Sequence, residues 1–126
     1  MQDIKNIDDF TIGDTYSLTR TLSTVPGSHI VTDAFWTVKS DVDLPDVDAV
    51  FSIHITRYTT ASGIGEVTNN ADGSAQLQFI AEPTVSLLMD GASVYYYDIH
   101  INLDSGEKYM VENGKLFTNR IVRRTH

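Results

Sequence analysis

Nine consecutive residues, Tyr95 to Leu103, alternate without a break: Tyr95, Tyr97, Ile99, Ile101 and Leu103 on one parity, Tyr96, Asp98, His100 and Asn102 on the other. A period of two puts successive side chains on opposite faces, so this run describes a β-strand with one face in a core. The pattern recurs. Phe51, Ile53 and Ile55 alternate with Ser52, His54 and Thr56, and Leu77 and Phe79 with Gln76 and Gln78. Ala34, Trp36 and Val38 share a parity with Ile30, and Tyr16, Leu18 and Leu22 share one earlier. Thr, Val, Ile and Tyr enrich these stretches, as pleated surfaces favour.

Turn-forming residues separate the runs: Pro26-Gly27-Ser28, the Asp41–Asp48 stretch around Pro45, Asn69 to Gly73, Asp90-Gly91, and Asp104-Ser105-Gly106, the last reading as a hairpin. Only Pro83 to Met89 suits a helical turn. Short strands at regular spacing, without strand–helix alternation, predict two antiparallel sheets packed face to face, with seven to eight strands. Leu88, Asp90 and Gly91 ahead of Tyr95 resemble the tyrosine corner of immunoglobulin-like sandwiches, and Trp36 would fill the core centre. The alternative for Tyr95 is a plain core aromatic. The expected fold is therefore an all-β, Ig-like antiparallel β-sandwich, held by packing alone because the chain has no cysteine.

Charge narrows the function. Seventeen acidic against nine basic residues give a net charge of −8, which argues against nucleic-acid partners and anionic membranes, both of which need a basic stripe. No apolar run approaches a membrane helix, and the polar start (Asp3, Asp8, Asp9) does not read as a signal peptide. The charge is also uneven: all seventeen acids fall within residues 1–116, alongside six basic residues, whereas residues 117–126 carry Arg120, Arg123 and Arg124 and no acid. The expected organisation is a sandwich over 1–116 and a basic docking strand or tail over 117–126.

A search for chemistry yields little. No Gly-x-Ser-x-Gly elbow occurs, and Gly63-Ile64-Gly65 has no following helix to hold a phosphate, so it reads as a bulge or a close backbone approach. Asp98 and His100 share an outward parity, the minimum of an acid/base pair, but on an open sheet face. His54 also points outward, which allows a two-histidine metal site only without the spacing zinc ligands show. Asp41, Asp43, Asp46 and Asp48 offer oxygens for calcium. Counted as an EF-hand loop, however, position six is Asp46 instead of glycine and position twelve is Ser52 instead of glutamate. The reading is no enzyme, no metal and no cofactor. What remains is surface: Phe35 and Tyr96 are outward aromatics of the kind enriched in interfaces. Phe117 and Ile121 lie on one face of the last stretch, with Leu116 and Val122 on the other.

The ordered motifs Ile12-Gly13-Asp14-Thr15-Tyr16, Arg20-Thr21-Leu22, Thr32-Asp33-Ala34-Phe35-Trp36-Thr37-Val38-Lys39, Asp72-Gly73-Ser74-Ala75, Pro83-Thr84, Tyr95-Tyr96-Tyr97-Asp98-Ile99, Ser105-Gly106-Glu107-Lys108-Tyr109 and Gly114-Lys115 span most of the chain. Together they resemble the N-terminal domain of phage baseplate upper (BppU-like) proteins. The resemblance implies an Ig-like sandwich with a structural role in a virion, assembled in the bacterial host cytoplasm. Baseplate proteins continue into a long extension, whereas this chain ends at His126. The expectation is thus an accessory protein, a capsid decoration or cement protein or a neck or tail component. Its partners would be the major capsid or tail and neck proteins and copies of itself, docked through Phe35, Tyr96, Phe117, Arg120, Ile121, Arg123 and Arg124. The alternative is a tail or baseplate recognition module that binds a carbohydrate or protein receptor, with Phe35 and Tyr96 as a stacking platform.

Overall fold

A computed structural model describes residues 3–23, 25, 29–40, 49–59, 63–86, 88 and 94–120. Each alternating run becomes a strand. In chain order these are β1 (Asp3–Ile4), β2 (Ile7–Ile12), β3 (Tyr16–Leu22), β4 (Val31–Lys39), β5 (Phe51–Thr56), β6 (Gly65–Asn69), β7 (Ala75–Ala81), β8 (Val94–Leu103) and β9 (Lys108–Arg120). A single helical turn, α1 (Pro83–Ser86), precedes β8. It falls where Pro83, with its fixed φ and missing N–H, suits a helix start.

The strands form two sheets. In the larger, the order is β1-β9-β8-β4-β5, with β2 also on β9. Strands β1 and β2 lie end to end along one edge of β9, both parallel to it, so they fill one place and the sheet is five strands wide. The smaller sheet has the order β3-β7-β6. This is the strand arrangement of an Ig-like sandwich: the first strand parallel to the last, then the central pair, then an added edge strand, facing a three-stranded layer. The hairpin expected at Asp104-Ser105-Gly106 joins β8 to β9. The Gly106 N–H donates to Leu103 O at 2.9 Å, and Gly106 takes a φ of +89° that suits glycine.

Alternation continues into burial. Along β8, Tyr95, Tyr97, Ile99, Ile101 and Leu103 are buried and their neighbours half-buried. Trp36 is fully buried at the centre, with the rings of Phe10, Phe51 and Phe79 and half-buried Tyr16 around it at centroid distances of 5.2 to 6.3 Å. Aromatic pairs at such separations add to the area they bury. Tyr95 lies in the core, 2% exposed, opposite Leu116; residues 89–93, which a tyrosine corner would involve, lie outside the described residues.

Two places break the simple period. In β4 the register slips between Val31 and Asp33, so Val31 is buried and Ile30, which shares the core parity, is not. In β9 the register slips between the partners of Ile99 and His100: Ile99 faces Glu112 while His100 faces Met110, leaving Val111 as a bulge. Beyond that bulge the parity is inverted, and Glu112 points into the core at 3% exposure. Gly65, with a φ of +120°, is a close backbone approach: a Cβ there would run into the carbonyl of Gln78. Residues 117–120, expected to begin a separate segment, continue β9, where Thr118 and Arg120 register with Phe10 and Ile12 of β2.

Candidate functional site

The two outer faces of the sandwich differ in chemistry. On the three-stranded sheet the outward positions are Ser17, Thr19 and Thr21 on β3, Gln76, Gln78 and Ile80 on β7, and Glu66 and Thr68 on β6. Ile80 is the lone apolar member among these described residues. Polar and charged side chains there meet the needs of a solvated face.

The larger sheet presents rows that run across its strands. Pairing registers align Lys39, Tyr96 and Lys115 in one row and Ser52, Thr37, Asp98 and Asn113 in the next. His54, Phe35, His100 and Met110 form a third row, and Thr56, Asp33, Asn102 and Lys108 a fourth. Phe117, opposite Val94, extends the face beyond Tyr96. Phe35 and Tyr96 thus lie on one surface as expected, both half-buried.

The third row is ordered by ring contacts and carboxylates. The Phe35 and His54 rings stack at 4.1 Å and 10°. His54 Nε2 lies 2.8 Å from Asp33 Oδ2. Burial pushes the Asp33 carboxyl up, but hydrogen bonds from Thr32, His54 and Asn102 outweigh it and hold the group below its ordinary value. On the other side of Phe35, His100 Nδ1 lies 3.0 Å from Asp98 Oδ1. The two outward histidines therefore flank β4 from β5 and β8. Two strand spacings, roughly 10 Å, separate them, too far for both to hold one ion. Among the described residues no group of three His, Asp or Glu side chains is placed to hold a metal. The Asp41, Asp43, Asp46 and Asp48 loop lies outside the described residues.

Two recesses interrupt the face. One, of about 320 Å³, is lined by Phe35, Thr37, His100, Asn102 and Lys108. The other, of about 390 Å³, lies between Tyr96 and β9 and is lined by Asn6, Lys39, Asp98, Asn113 and Lys115 among others. Two of its lining residues carry a buried oxygen: Asp98 Oδ1, beside His100, and Asn113 Oδ1, which has no hydrogen-bond donor among the described residues. Such an acceptor costs about 1–3 kcal/mol while unsatisfied. Gly114, which borders the recess, lets the chain before β2 pack close: a Cβ there would strike the Lys5 carbonyl, and Lys5 N–H donates to Asn113 O at 2.9 Å.

Of the residues expected to form an interface, Phe35, Tyr96 and Phe117 share this face. Arg120 is placed by its backbone at the end of β9, and Ile121, Arg123 and Arg124 lie outside the described residues. Lys39 shares the parity of Phe35, so the alternation of β4 could have revealed it. Asn113 and Lys115 could not be found that way, because the Val111 bulge inverts the parity that a reading of β9 would carry forward.

No helix among the described residues is long and apolar enough to cross a membrane. No protein-family model matches the chain, and no curated protein matches it.

Proposed function

We propose that the chain is a non-enzymatic structural module of a tailed-phage virion, a capsid decoration or a neck or tail accessory protein that docks on a larger assembly. The observation that carries the docking reading is the contrast between the two outer faces. Phe35, Tyr96, His54, His100, Met110 and Phe117 crowd one sheet, while the described outward positions of the other carry Ser, Thr, Gln and Glu side chains and Ile80. A monomer has no need to hold so much aromatic and sulfur surface on a single open face. The virion setting is supported by the ordered sequence motifs, which resemble BppU-like N-terminal domains.

Catalysis fits this surface poorly. Among the described residues, the Asp98–His100 pair stands on a sheet face broken only by open recesses, without the deep, water-excluding wall that general acid/base chemistry needs. A particle with many identical sites makes a modest interface sufficient, since copies that also touch one another gain from proximity.

Cosedimentation of the purified chain with particles lacking it tests the reading. Phe35→Ala with Tyr96→Ala should abolish binding, while Thr19→Ala with Gln78→Ala on the other sheet should leave it intact. Equal loss from both pairs, or from neither, overturns the assignment of the docking face.

A further inference from the structure

Sheet edges present unpaired backbone groups, and chains blunt them with charges, proline or bulges. Four of the five edge strands follow that rule: Asp3 stands on β1, Asp8 and Asp9 on β2, Arg20 on β3 and Glu66 on β6. Strand β5 does not. Phe51–Thr56 contains no Asp, Glu, Lys, Arg or Pro, and its ladder with β4 runs without a register shift. It pairs with β4 on one side, and no strand among the described residues lies on the other.

The backbone bonds define how much of this edge is open. Arg57 N–H donates to Thr32 O, in line with the β4–β5 register. Ladder bonds alternate along an antiparallel pair, so Phe51, Ile53 and Ile55 bond β4, while Ser52 and His54 turn N–H and C=O outward from the edge. Both ends are closed internally. Val50 N–H donates to Val38 O at 2.7 Å, Thr56 N–H to Thr59 Oγ1 at 3.0 Å, and Thr59 N–H to Thr56 O at 3.3 Å. Two residues, with two donors and two acceptors, are left.

We propose that the β5 edge pairs antiparallel with β5 of a second copy, about a two-fold axis at Ile53. In that register Ser52 of each copy faces His54 of the other, and the four open donors and acceptors satisfy one another in four backbone bonds. A register centred on His54 would instead set Ser52 against Thr56, whose groups the Thr59 turn already uses. The Ile53-centred register also keeps both faces matched. Phe51 meets Ile55 and Ile53 meets its own copy on the core side, where Phe51 and Ile53 keep 7% and 6% exposure against 0% for Ile55. Charge agrees with it: exposed Arg57 falls opposite Ala49 of the other copy, which follows Asp46 and Asp48 in sequence. Each copy carries −8, a repulsion screened within about 8 Å at physiological salt. One short strand is a small contact, so the dimer is weak in free solution. The inference goes beyond the docking reading, because it concerns an edge instead of the outer face and needs no particle.

The test follows the purified full chain by NMR diffusion and amide hydrogen exchange from micromolar to millimolar concentration. The chain should pass from monomer to dimer, and exchange at the Ser52 and His54 amides should slow in step. Ser52→Pro removes a donor that β4 does not use, a position where an edge strand tolerates proline, and Ser52→Lys adds a charge at an exposed position. Each should weaken association at least tenfold with an unchanged circular-dichroism spectrum, whereas Thr19→Lys on the β3 edge should leave it intact. Should Ser52→Pro fail to fold, Ser52→Lys decides alone. A monomer at millimolar concentration overturns the proposal, as does a dimer that the folded Ser52 variants leave intact. So does protection of the Ser52 and His54 amides already at micromolar concentration, which would mean that the chain covers this edge itself.

Discussion

Arg20 on β3 and Glu112 on β9 join the two sheets through the interior: Arg20 Nε donates to Glu112 Oε1 at 2.6 Å, and Tyr97 OH donates to Glu112 Oε2 at 2.5 Å. Burial works against the Arg20 charge, but its Glu112 and Tyr97 partners raise its pKa above the ordinary value. Burial, then the neighbouring Glu112, pushes the Tyr97 hydroxyl well above its own. The carboxylate is 4% exposed and the guanidinium side chain 25%, so either charge left alone would be poorly solvated.

Glu112→Ala should therefore cost about 3–5 kcal/mol, the usual penalty for stripping one partner from a buried pair. Arg20→Met combined with Glu112→Leu should recover most of that loss, since apolar side chains of similar size replace buried ion pairs at little net cost. Urea unfolding monitored by Trp36 fluorescence measures both. A double variant as unstable as Glu112→Ala would show that the pair holds the sheets by more than mutual compensation.

Gly65→Ala should destabilise the smaller sheet out of proportion to one methyl group. The left-handed backbone at +120° is strained for alanine, and the added Cβ would meet the Gln78 carbonyl within the β6–β7 ladder. Strain of this kind costs on the order of 1–3 kcal/mol. Gly73→Ala, at φ +89° but with open space around it, supplies the comparison: it carries the conformational penalty without the collision. Thermal unfolding of the two variants should rank Gly65→Ala below Gly73→Ala.

The contrast between Tyr96 and Asn113 shows how far the sequence could be read. The strand β8 carries a clean period of two, so Tyr95 and Tyr97 are recognisable as core and Tyr96 as surface before any coordinates are known. The last strand also alternates, but its bulge at Val111 adds one residue to one side of the ladder, and a one-residue slip exchanges the faces. Hence Glu112, a charged residue that composition assigns to solvent, is buried, and Asn113 with Lys115 joins the face of Tyr96. The parallel pairing of β2 with β9 was equally out of reach, because it brings residues more than a hundred positions apart into register through contacts that no local pattern encodes.

Acid should weaken the fold partly through Asp33. Its folded-state pKa is depressed, so deprotonated Asp33 contributes stability that is fully present above its unfolded value of about 3.9 and is lost as pH falls through the lower folded value. Asp33→Asn removes this contribution. Below about pH 4 the melting temperature of the variant should fall less steeply than that of the parent chain, and at neutral pH the variant should be the less stable of the two. Parallel curves across this range would mean that the Thr32, His54 and Asn102 contacts do not favour the charged carboxylate.

Phe35 and Trp36 are adjacent in sequence but belong to different functions, and paired variants should separate them. Trp36 is fully buried among four aromatic rings, so Trp36→Ala should cost about 3–5 kcal/mol. Phe35 lies half-buried on the outer face, stacked on His54, and Phe35→Ala should cost about 1 kcal/mol, the scale of a cross-strand pair. The order reverses for docking: Phe35→Ala should lose particle binding while remaining folded. Trp36→Phe, which keeps an aromatic ring in the core, should bind like the parent chain. Cosedimentation and urea unfolding on the same preparations distinguish the two roles. A Phe35→Ala chain that binds normally would remove the outer aromatic row from the docking surface, whatever its effect on stability.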